Sequence, residues 1–188
     1  MDDFIKIIRN VYPLSDRALQ LLLLKSERVV FPKNHLLIRS GVIEHYAYFI
    51  IKGMARGYFY KEGRDVTLWF ATTGMSLLSM NAYLFQSAGY ENIELLEACE
   101  LLKIPQATLN ELFETDIELA NWGRRMSDYF ILHLEQIFME RSFMPAAQRY
   151  HQLVAQQPEI LQKVPLGHIA SYLGISQVSL SRIRAGIQ

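Results

Sequence analysis

The most recognisable chemistry in the chain lies near its C-terminal end, in the segment PLGHIASYLGISQVSLSRIR at residues 165–184. The hydroxyl, amide and guanidinium groups of this segment can bond to base edges and phosphates, and a valine within it can touch a thymine methyl. These residues are Ser176, Gln177, Val178, Ser179, Ser181, Arg182 and Arg184. Such side chains reach the bases of a duplex only when a helix or ribbon carries them into a groove.

The spacing of apolar residues around Gly174 predicts such a helix. They recur at helical intervals at Leu166, Ile169, Ala170 and Leu173 upstream, and at Val178, Leu180 and Ile183 downstream. Gly174 supplies the left-handed residue that ends the first helix, and Ser176 is placed to cap the second. The pattern predicts a helix-turn-helix, whose second helix enters the major groove of DNA. An ordinary helical hairpin packed in a core is the alternative.

The distribution of charge supports the nucleic-acid interpretation. Net charge is zero over the 188 residues. From residue 141 onward, five basic residues stand against Glu159 alone, a net charge of +4, which leaves −4 on the preceding residues. The five are Arg141, Arg149, Lys163, Arg182 and Arg184. A basic end on an acidic body is expected when only that end meets phosphate.

Composition indicates a globular chain, with 51% apolar and 20% charged residues. No uninterrupted apolar run approaches the roughly 20 residues of a membrane span. The N-terminal sequence MDDFIKIIRN is unlike a secretory signal. Cys99 is the only cysteine, which excludes an internal disulfide, and we expect it to be a buried thiol. We therefore expect a cytoplasmic protein without a membrane partner.

The elements before the helix pair form a recognisable order. Two short helices, at residues 4–8 and from Ser15 onward, precede β-prone runs that turn residues separate about every ten positions. These runs, at residues 29–32, 36–38, 46–51, 54–60, 66–70, 93–98 and 101–104, predict a small antiparallel barrel or roll. Residues 54–60 and 65–70 form the clearest hairpin, and a short helix is expected at residues 107–113.

A long helix is predicted at residues 116–140, ending before Pro145. Its apolar stripe at three-four spacing consists of Leu119, Trp122, Met126, Phe130, Leu134 and Ile137. One alternative is that the stripe packs on the chain's own β-domain and on nothing else. Because it is broad and rich in aromatic residues, we expect it to pair also with the same helix of a second copy, which predicts a homodimer.

This order of parts resembles the Crp/Fnr family of bacterial transcription regulators. The segments that carry the resemblance are YFIIKGMAR at residues 48–56 and IASYLGISQVSLSR at residues 169–182. AQRY at residues 147–150 resembles the branch common in Bacteroidetes.

The resemblance implies an α+β fold in three parts. These are a sensor domain at residues 1–114 built on a β-roll (a double-stranded β-helix or jelly roll), a dimerisation helix at 115–141, and a winged helix-turn-helix domain at 142–188. It also implies a dimeric regulator that binds operator DNA and has RNA polymerase as a further candidate partner.

The effector pocket of the roll departs from the family pattern. Many relatives hold a cyclic nucleotide through a Gly-Glu pair and an Arg-Ser or Arg-Thr pair, because a cyclic phosphate favours a guanidinium fork and backbone amides. Here Ser79 stands near the place of the glutamate, and Glu91-Asn92 stand where the arginine pair is expected. A carboxylate there repels a phosphate, so we expect an unidentified small-molecule effector other than cyclic AMP. The corresponding effector-binding residues are Trp69, Gly74, Leu78, Ser79, Asn81, Glu91 and Asn92.

The second helix of the pair, which would read the bases, also departs from the family pattern. Relatives often begin it with Arg-Glu, where this chain has Gln177-Val178, while Arg182 fits the family's base-contacting arginine. Gln177 can pair with adenine, so DNA binding is still expected but the family's usual operator is not. Only four residues follow Arg184, so we expect a truncated wing.

Other function classes receive less support. The five histidines are scattered and none lies in an HExxH-type pattern, so we expect no enzyme, no metal site and no cofactor. The remaining alternative is a sensor or interaction module of the same architecture that does not read DNA.

Overall fold

The structure is a computed structural model that describes residues 1–186. The helices are α1 (Asp2–Val11), α2 (Asp16–Leu24), α3 (Met80–Phe85), α4 (Gln106–Thr115), α5 (Ile117–Phe143), α6 (Ala146–Gln156), α7 (Ile160–Lys163), α8 (Leu166–Tyr172) and α9 (Gln177–Arg184). The strands are β1 (Glu27–Phe31), β2 (Leu36–Ile38), β3 (Tyr46–Lys52), β4 (Ala55–Lys61), β5 (Arg64–Ala71), β6 (Ser76–Leu77), β7 (Asn92–Leu95) and β8 (Cys99–Pro105). The truncated wing was predicted from the residues after Arg184, and Ile187 and Gln188 lie outside the described residues.

The strands form two four-stranded sheets, in the orders β1-β8-β3-β6 and β2-β7-β4-β5. β8 pairs antiparallel with both β1 and β3, in registers that set Phe31 opposite Cys99 and Tyr46 opposite Pro105. Strands distant in sequence are therefore neighbours, as in a roll. The α+β class and the antiparallel β-roll predicted from the sequence are confirmed.

The hairpin between β4 and β5 turns through Glu62 and Gly63, which both have positive φ, +52° and +76°. Two consecutive left-handed residues make the turn whose twist matches that of antiparallel strands. The hairpin is thus confirmed where the sequence placed it.

The chain divides into two compact units. The first comprises residues 1–57 and 70–130, and the second comprises residues 58–69 and those from 131 onward. The second unit therefore contains the tip of the β4–β5 hairpin as well as the C-terminal helices. The functional division at residues 114 and 141 stays a prediction.

The core of the first unit lies between β3, β8 and the helices that cover them. β3 is buried on both faces of its central residues, because one face lines the roll and the other meets helices. Phe49 of β3 packs on Trp122 of α5 with 5.2 Å between ring centroids, and Phe4 and Ile8 of α1 join the same cluster. Cys99 is buried as predicted.

The start of α5 is fixed by a charged cap in the first unit. Asp116 is buried, and its carboxylate accepts hydrogen bonds from the amides of Glu118 (3.0 Å) and Leu119 (3.2 Å). Arg17 donates to the same carboxylate at 2.6 Å. This hydrogen bond holds the pKa of Asp116 below its ordinary value. Ser15, predicted to start α2, caps it by accepting from the amide of Ala18.

Several elements differ from the sequence predictions. α5 continues to Phe143 rather than ending at residue 140, because the helix stops only where Pro145 disfavours helical backbone in the preceding residue. α7 lies in a segment predicted to be a connection. β7 ends at Leu95 and not at residue 98.

Candidate functional sites

Helices α8 and α9 form a tightly turned pair in the second unit. Gly174 has φ +68°, and its amide donates to the carbonyl of Ser171 at 3.0 Å. The amide of Ile175 donates to the carbonyl of Ala170 at 3.0 Å, which completes the left-handed helix end. Ser176 caps α9 by accepting from the amide of Ser179 at 3.0 Å. The local signals at Gly174 and Ser176 therefore act as predicted.

The predicted DNA-contacting side chains lie on the exposed surface of this pair. Leu180 is fully buried and Ile183 half-buried, so these two residues define the inner face of α9. The residues from Ser176 to Ser179, together with Ser181, Arg182 and Arg184, are exposed. Within the part of the chain that the structure describes, neither Arg182 nor Arg184 has a hydrogen-bond or ion-pair partner. The hydroxyl of Ser176 is already engaged by the cap and by the Ser179 hydroxyl at 2.9 Å.

Two other arginines hold the C-terminal end of α8. Arg141 donates through Nη2 to the carbonyl of Tyr172 at 2.7 Å, and its guanidinium lies 5.4 Å from the Tyr172 ring. Arg149 donates to the carbonyl of Leu173 at 2.7 Å and to that of Met144 at 2.6 Å. Carbonyls left unpaired at a helix end favour cationic partners. Burial lowers the pKa of Arg141 and raises that of Tyr172 to about 12.

These contacts change the interpretation of the basic C-terminal end. Arg141 and Arg149 both contribute to the net charge of +4, yet their guanidinium groups are engaged inside the unit. Sequence reasoning missed this structural role, because a helix cap from a residue more than twenty positions away leaves no local pattern. Arg182 and Arg184 are the basic side chains on the exposed surface of α9, whereas Lys163 lies at the end of α7.

In the first unit, Ser79, Glu91 and Asn92 gather around Gly89. A Cβ added to Gly89 would overlap the Ser79 hydroxyl and lie 2.8 Å from both carboxylate oxygens of Glu91. The Asn92 Oδ1 accepts from the amide of Ser40 at 3.0 Å, next to the bond from the Gly41 amide to the Gly89 carbonyl. Ser79 Oγ and Asn92 Nδ2 are buried without a hydrogen-bond partner among the described residues.

Neither the paired Arg56 nor the carboxylate of Glu91 favours a bound anion. Arg56 is buried and donates through Nε to Glu94 Oε2 at 2.9 Å. Its guanidinium is therefore held by a carboxylate, while Glu91 adds a second negative charge. A cyclic phosphate favours a guanidinium fork, and Arg56 does not offer it one in this structure.

The other predicted effector residues lie elsewhere. Gly74 (φ +89°) packs against Ile7 and lines a separate, largely apolar cavity of about 170 Å³ with Val11, Met126 and Phe130. Leu78 packs against the hydrophobic core, and Asn81 lies in α3, where its carbonyl accepts from the Gln86 amide. Trp69 belongs to the second unit. The structure thus gathers Ser79, Glu91 and Asn92 but not the rest of the set.

The stripe predicted for dimerisation is largely buried within one chain. Leu119 and Trp122 are 0% and 1% exposed, Ile137 is also buried, and Met126 and Phe130 are half-buried. Only Leu134 of the six is classed as exposed. The apolar surface of α5 that remains exposed lies mainly in its C-terminal half, at Tyr129, Ile131, Leu132, Leu134, Phe138, Met139 and Phe143.

Residues 28–116 match the family model of the cyclic nucleotide-binding domain. A search of curated proteins gave no significant match to the chain.

Several solved structures share the fold. FixK2 from Bradyrhizobium japonicum superposes with a TM-score of 0.73 at 15% identity, covering 86% of this chain and 84% of FixK2. A protein of Eubacterium rectale described as a Crp/Fnr-family transcriptional regulator gives 0.74 at 16% identity, covering 95% and 88%. CLP of Xanthomonas campestris, a c-di-GMP responsive global regulator, gives 0.69 at 18% identity, covering 93% and 92%. At these identities the likeness concerns the fold.

No helix within residues 1–186 combines the length and apolar character that a membrane crossing requires. In the same part of the chain, no three His, Cys, Asp or Glu side chains are grouped as metal ligands.

Proposed function

We propose that this protein is a DNA-binding transcription regulator of the Crp/Fnr type, with α8 and α9 as its helix-turn-helix. The observation that carries the proposal is the exposed polar face of α9, set on a capped, glycine-turned helix pair. Gln177 can pair with adenine, Val178 can touch a thymine methyl, and Arg182 can bind guanine through two bonds. Ser179, Ser181 and Arg184 supply further contacts to bases and phosphates.

The regulator acts as a homodimer that forms through α5. A helix that is apolar on nearly all sides is normally buried, and the C-terminal half of α5 exposes large apolar residues around its circumference. Ile131, Leu134 and Phe138 follow the three-four spacing of a two-helix seam. Two reading helices related by a two-fold axis then address half-sites one helical turn apart.

The roll senses a small molecule, and cyclic AMP is not that molecule. Ser79 and Asn92 offer buried hydrogen-bonding atoms without partners among the described residues, next to the carboxylate of Glu91. These groups suit an uncharged or cationic ligand better than a cyclic phosphate, because Arg56 is engaged by Glu94. The fold similarity to regulators and the match to the cyclic nucleotide-binding domain support an effector site in this domain. RNA polymerase is the further partner of a regulator that acts on transcription in a bacterial cytoplasm.

Selection of DNA by the full-length protein tests the proposal. The protein is incubated with a pool of random duplexes, and the bound fraction is recovered, amplified and sequenced over several rounds. We expect a two-fold symmetric motif whose half-sites are about 10 bp apart from centre to centre. The matched control carries Gln177→Ala and Arg182→Ala, both exposed positions that leave the inner face of α9 intact, and should enrich no motif. A wild-type protein that enriches no motif would favour the alternative, a sensor or interaction module that does not read DNA.

A further inference from the structure

Strand β5 lies at the edge of its sheet, and the helix pair occupies part of that edge. Edge strands present a row of unpaired amides and carbonyls. At Asp65 and Thr67 these groups have partners from the C-terminal helices, all within the second unit. The Thr67 amide donates to Ser171 Oγ at 2.9 Å, and Ser171 Oγ donates to the carbonyl of Asp65 at 3.0 Å.

The Ser171 hydroxyl substitutes here for a neighbouring strand. A serine hydroxyl has one donor and two acceptor positions, so a single side chain can satisfy an amide and a carbonyl together. In an antiparallel ladder, the residues at positions i and i+2 of a strand turn these groups toward the same side. Asp65 and Thr67 have this spacing, so Ser171 alone satisfies two groups that two different residues of an antiparallel neighbour would bind.

Arg141 extends the same contact. Its Nη2 donates to the carbonyl of Thr67 at 2.9 Å and to that of Tyr172 at 2.7 Å. One guanidinium therefore joins the edge of β5 to the C-terminal end of α8. His168 lies one helical turn before Ser171, with its Nε2 3.8 Å from Asp65 Oδ2. The contact thus extends along α8.

We propose that Ser171 and Arg141 are positioning residues, which fix α8 and α9 on the free edge of β5 so that the reading helix is held in one orientation. The contact leaves the polar face of α9 exposed, so it orients that face and does not cover it. β4 begins and β5 ends in the first unit, whereas the tip of their hairpin belongs to the second unit. The effect on DNA binding rests on the proposed function, whereas the contact itself does not.

The consequence for DNA differs between whole and half operators. A dimer that binds two half-sites must hold both reading helices at one spacing, and loosening either pair adds an entropic cost to binding. A duplex with a single half-site needs only one reading helix and is insensitive to that spacing. A positioning residue should therefore affect the whole operator far more than the half-site.

The contact is tested first without DNA, by hydrogen exchange of the Thr67 amide in the full-length protein. Ser171→Ala should speed its exchange at least about tenfold, because the amide loses the Ser171 hydroxyl as its acceptor. Ser171→Thr keeps the hydroxyl and should restore protection. Ser142→Ala, an exposed serine in the same unit, should leave the rate unchanged. Equal protection in Ser171→Ala and the wild type would overturn the contact.

The positioning role is then tested on the duplex that the wild type selects and on a duplex with one half-site. Ser171→Ala should weaken binding to the whole operator about 3- to 30-fold and to the half-site less than about twofold, with Arg141→Ala acting in the same direction. Equal weakening on both duplexes, or none on the whole operator, would overturn the positioning role. A wild-type protein that binds no duplex refutes the proposed function, while loss of Thr67 protection in Ser171→Ala alone would still support the contact.

Discussion

Replacing Phe138 by aspartate should dissociate the proposed dimer while leaving the single chain folded. Phe138 is 66% exposed, so its substitution removes little packing within one chain. Burying a phenylalanine side chain contributes about 1.5–3 kcal/mol. Because about two thirds of the Phe138 side chain is exposed in one chain, about two thirds of that free energy can be gained on dimerisation. A two-fold symmetric dimer contains two copies of Phe138, which gives about 2–4 kcal/mol per dimer.

This loss corresponds to an increase of about 30- to 1,000-fold in the dimer dissociation constant. A carboxylate left without a partner at the seam adds to it. Phe138 is a sharper probe than Met126 or Phe130, because those two are half-buried and their substitution would also destabilise the single chain.

Sedimentation equilibrium over a range of micromolar concentrations measures the effect, and circular dichroism checks that the helices are retained. The matched control is Phe85→Asp, which replaces the same residue type at 71% exposure on α3. We expect the control to sediment as the wild type and the Phe138 variant to dissociate. A monomeric wild type, or two variants with the same dissociation constant, would refute the reasoning.

Three further predictions concern stability and ligand binding. Asp116→Ala should lower the free energy of unfolding by about 0.5–2 kcal/mol through loss of the α5 cap. Because the hydrogen bond from Arg17 lowers the pKa of Asp116, this contribution should be present above pH 3.8 and lost as the pH falls through the folded-state pKa. Acid denaturation of wild type and variant at several pH values measures it. Burial lowers the pKa of His133 below 6.5, so as the pH falls the unfolded chain takes up this proton first, and the free energy of unfolding should decline below pH 6.5. His133→Gln should flatten that decline in thermal melts recorded at several pH values. A variant with the same pH profile as the wild type would contradict this prediction. Cyclic AMP should give no binding heat in calorimetry at micromolar concentrations, because Arg56 is engaged by Glu94; a micromolar affinity would contradict this prediction.

The elements that could be predicted from the sequence are those specified by neighbouring residues. Gly174 and Ser176 end one helix and begin the next through their own backbone freedom and side-chain chemistry, and both appear where they were expected. The β4–β5 hairpin follows from β-prone apolar runs on either side of a turn at Glu62 and Gly63. These signals act over four or five residues and need no knowledge of the tertiary fold.

The features that the sequence could not supply depend on distant partners. Periodicity marks Leu119 and Trp122 as a buried face of α5, but it does not say whether the chain itself or a second copy covers them. Likewise, the basic charge of Arg141 says nothing of the carbonyls that it binds, Thr67 and Tyr172, which lie 74 and 31 positions away.

The effector set was limited in the same way. Alignment with a family pattern grouped Gly74 with Ser79, whereas the structure places Gly74 against Ile7 of α1. The approach of α1 to this glycine is a long-range contact, and no spacing in the sequence indicates it. The same family pattern named Ser79 and Glu91, and the structure places both side chains against Gly89.

The central claim, that α9 reads bases, is tested most directly by comparing Arg182→Ala with Arg184→Ala. Arg182 lies five residues after Gln177 and can bond to both O6 and N7 of a guanine when the helix lies along the groove. Arg184 lies two residues further, about 200° around the helix, and faces phosphate or solvent instead. Both side chains are exposed, so neither variant should disturb the fold.

The measurement is fluorescence anisotropy on the selected duplex and on a scrambled duplex of equal length, at several salt concentrations. Arg182→Ala should cost about 1–3 kcal/mol on the selected duplex alone and flatten discrimination at one base pair. Arg184→Ala should weaken both duplexes similarly and reduce the salt slope by up to about one unit. If Arg182→Ala weakens the selected and scrambled duplexes by the same factor, α9 does not read bases through this residue.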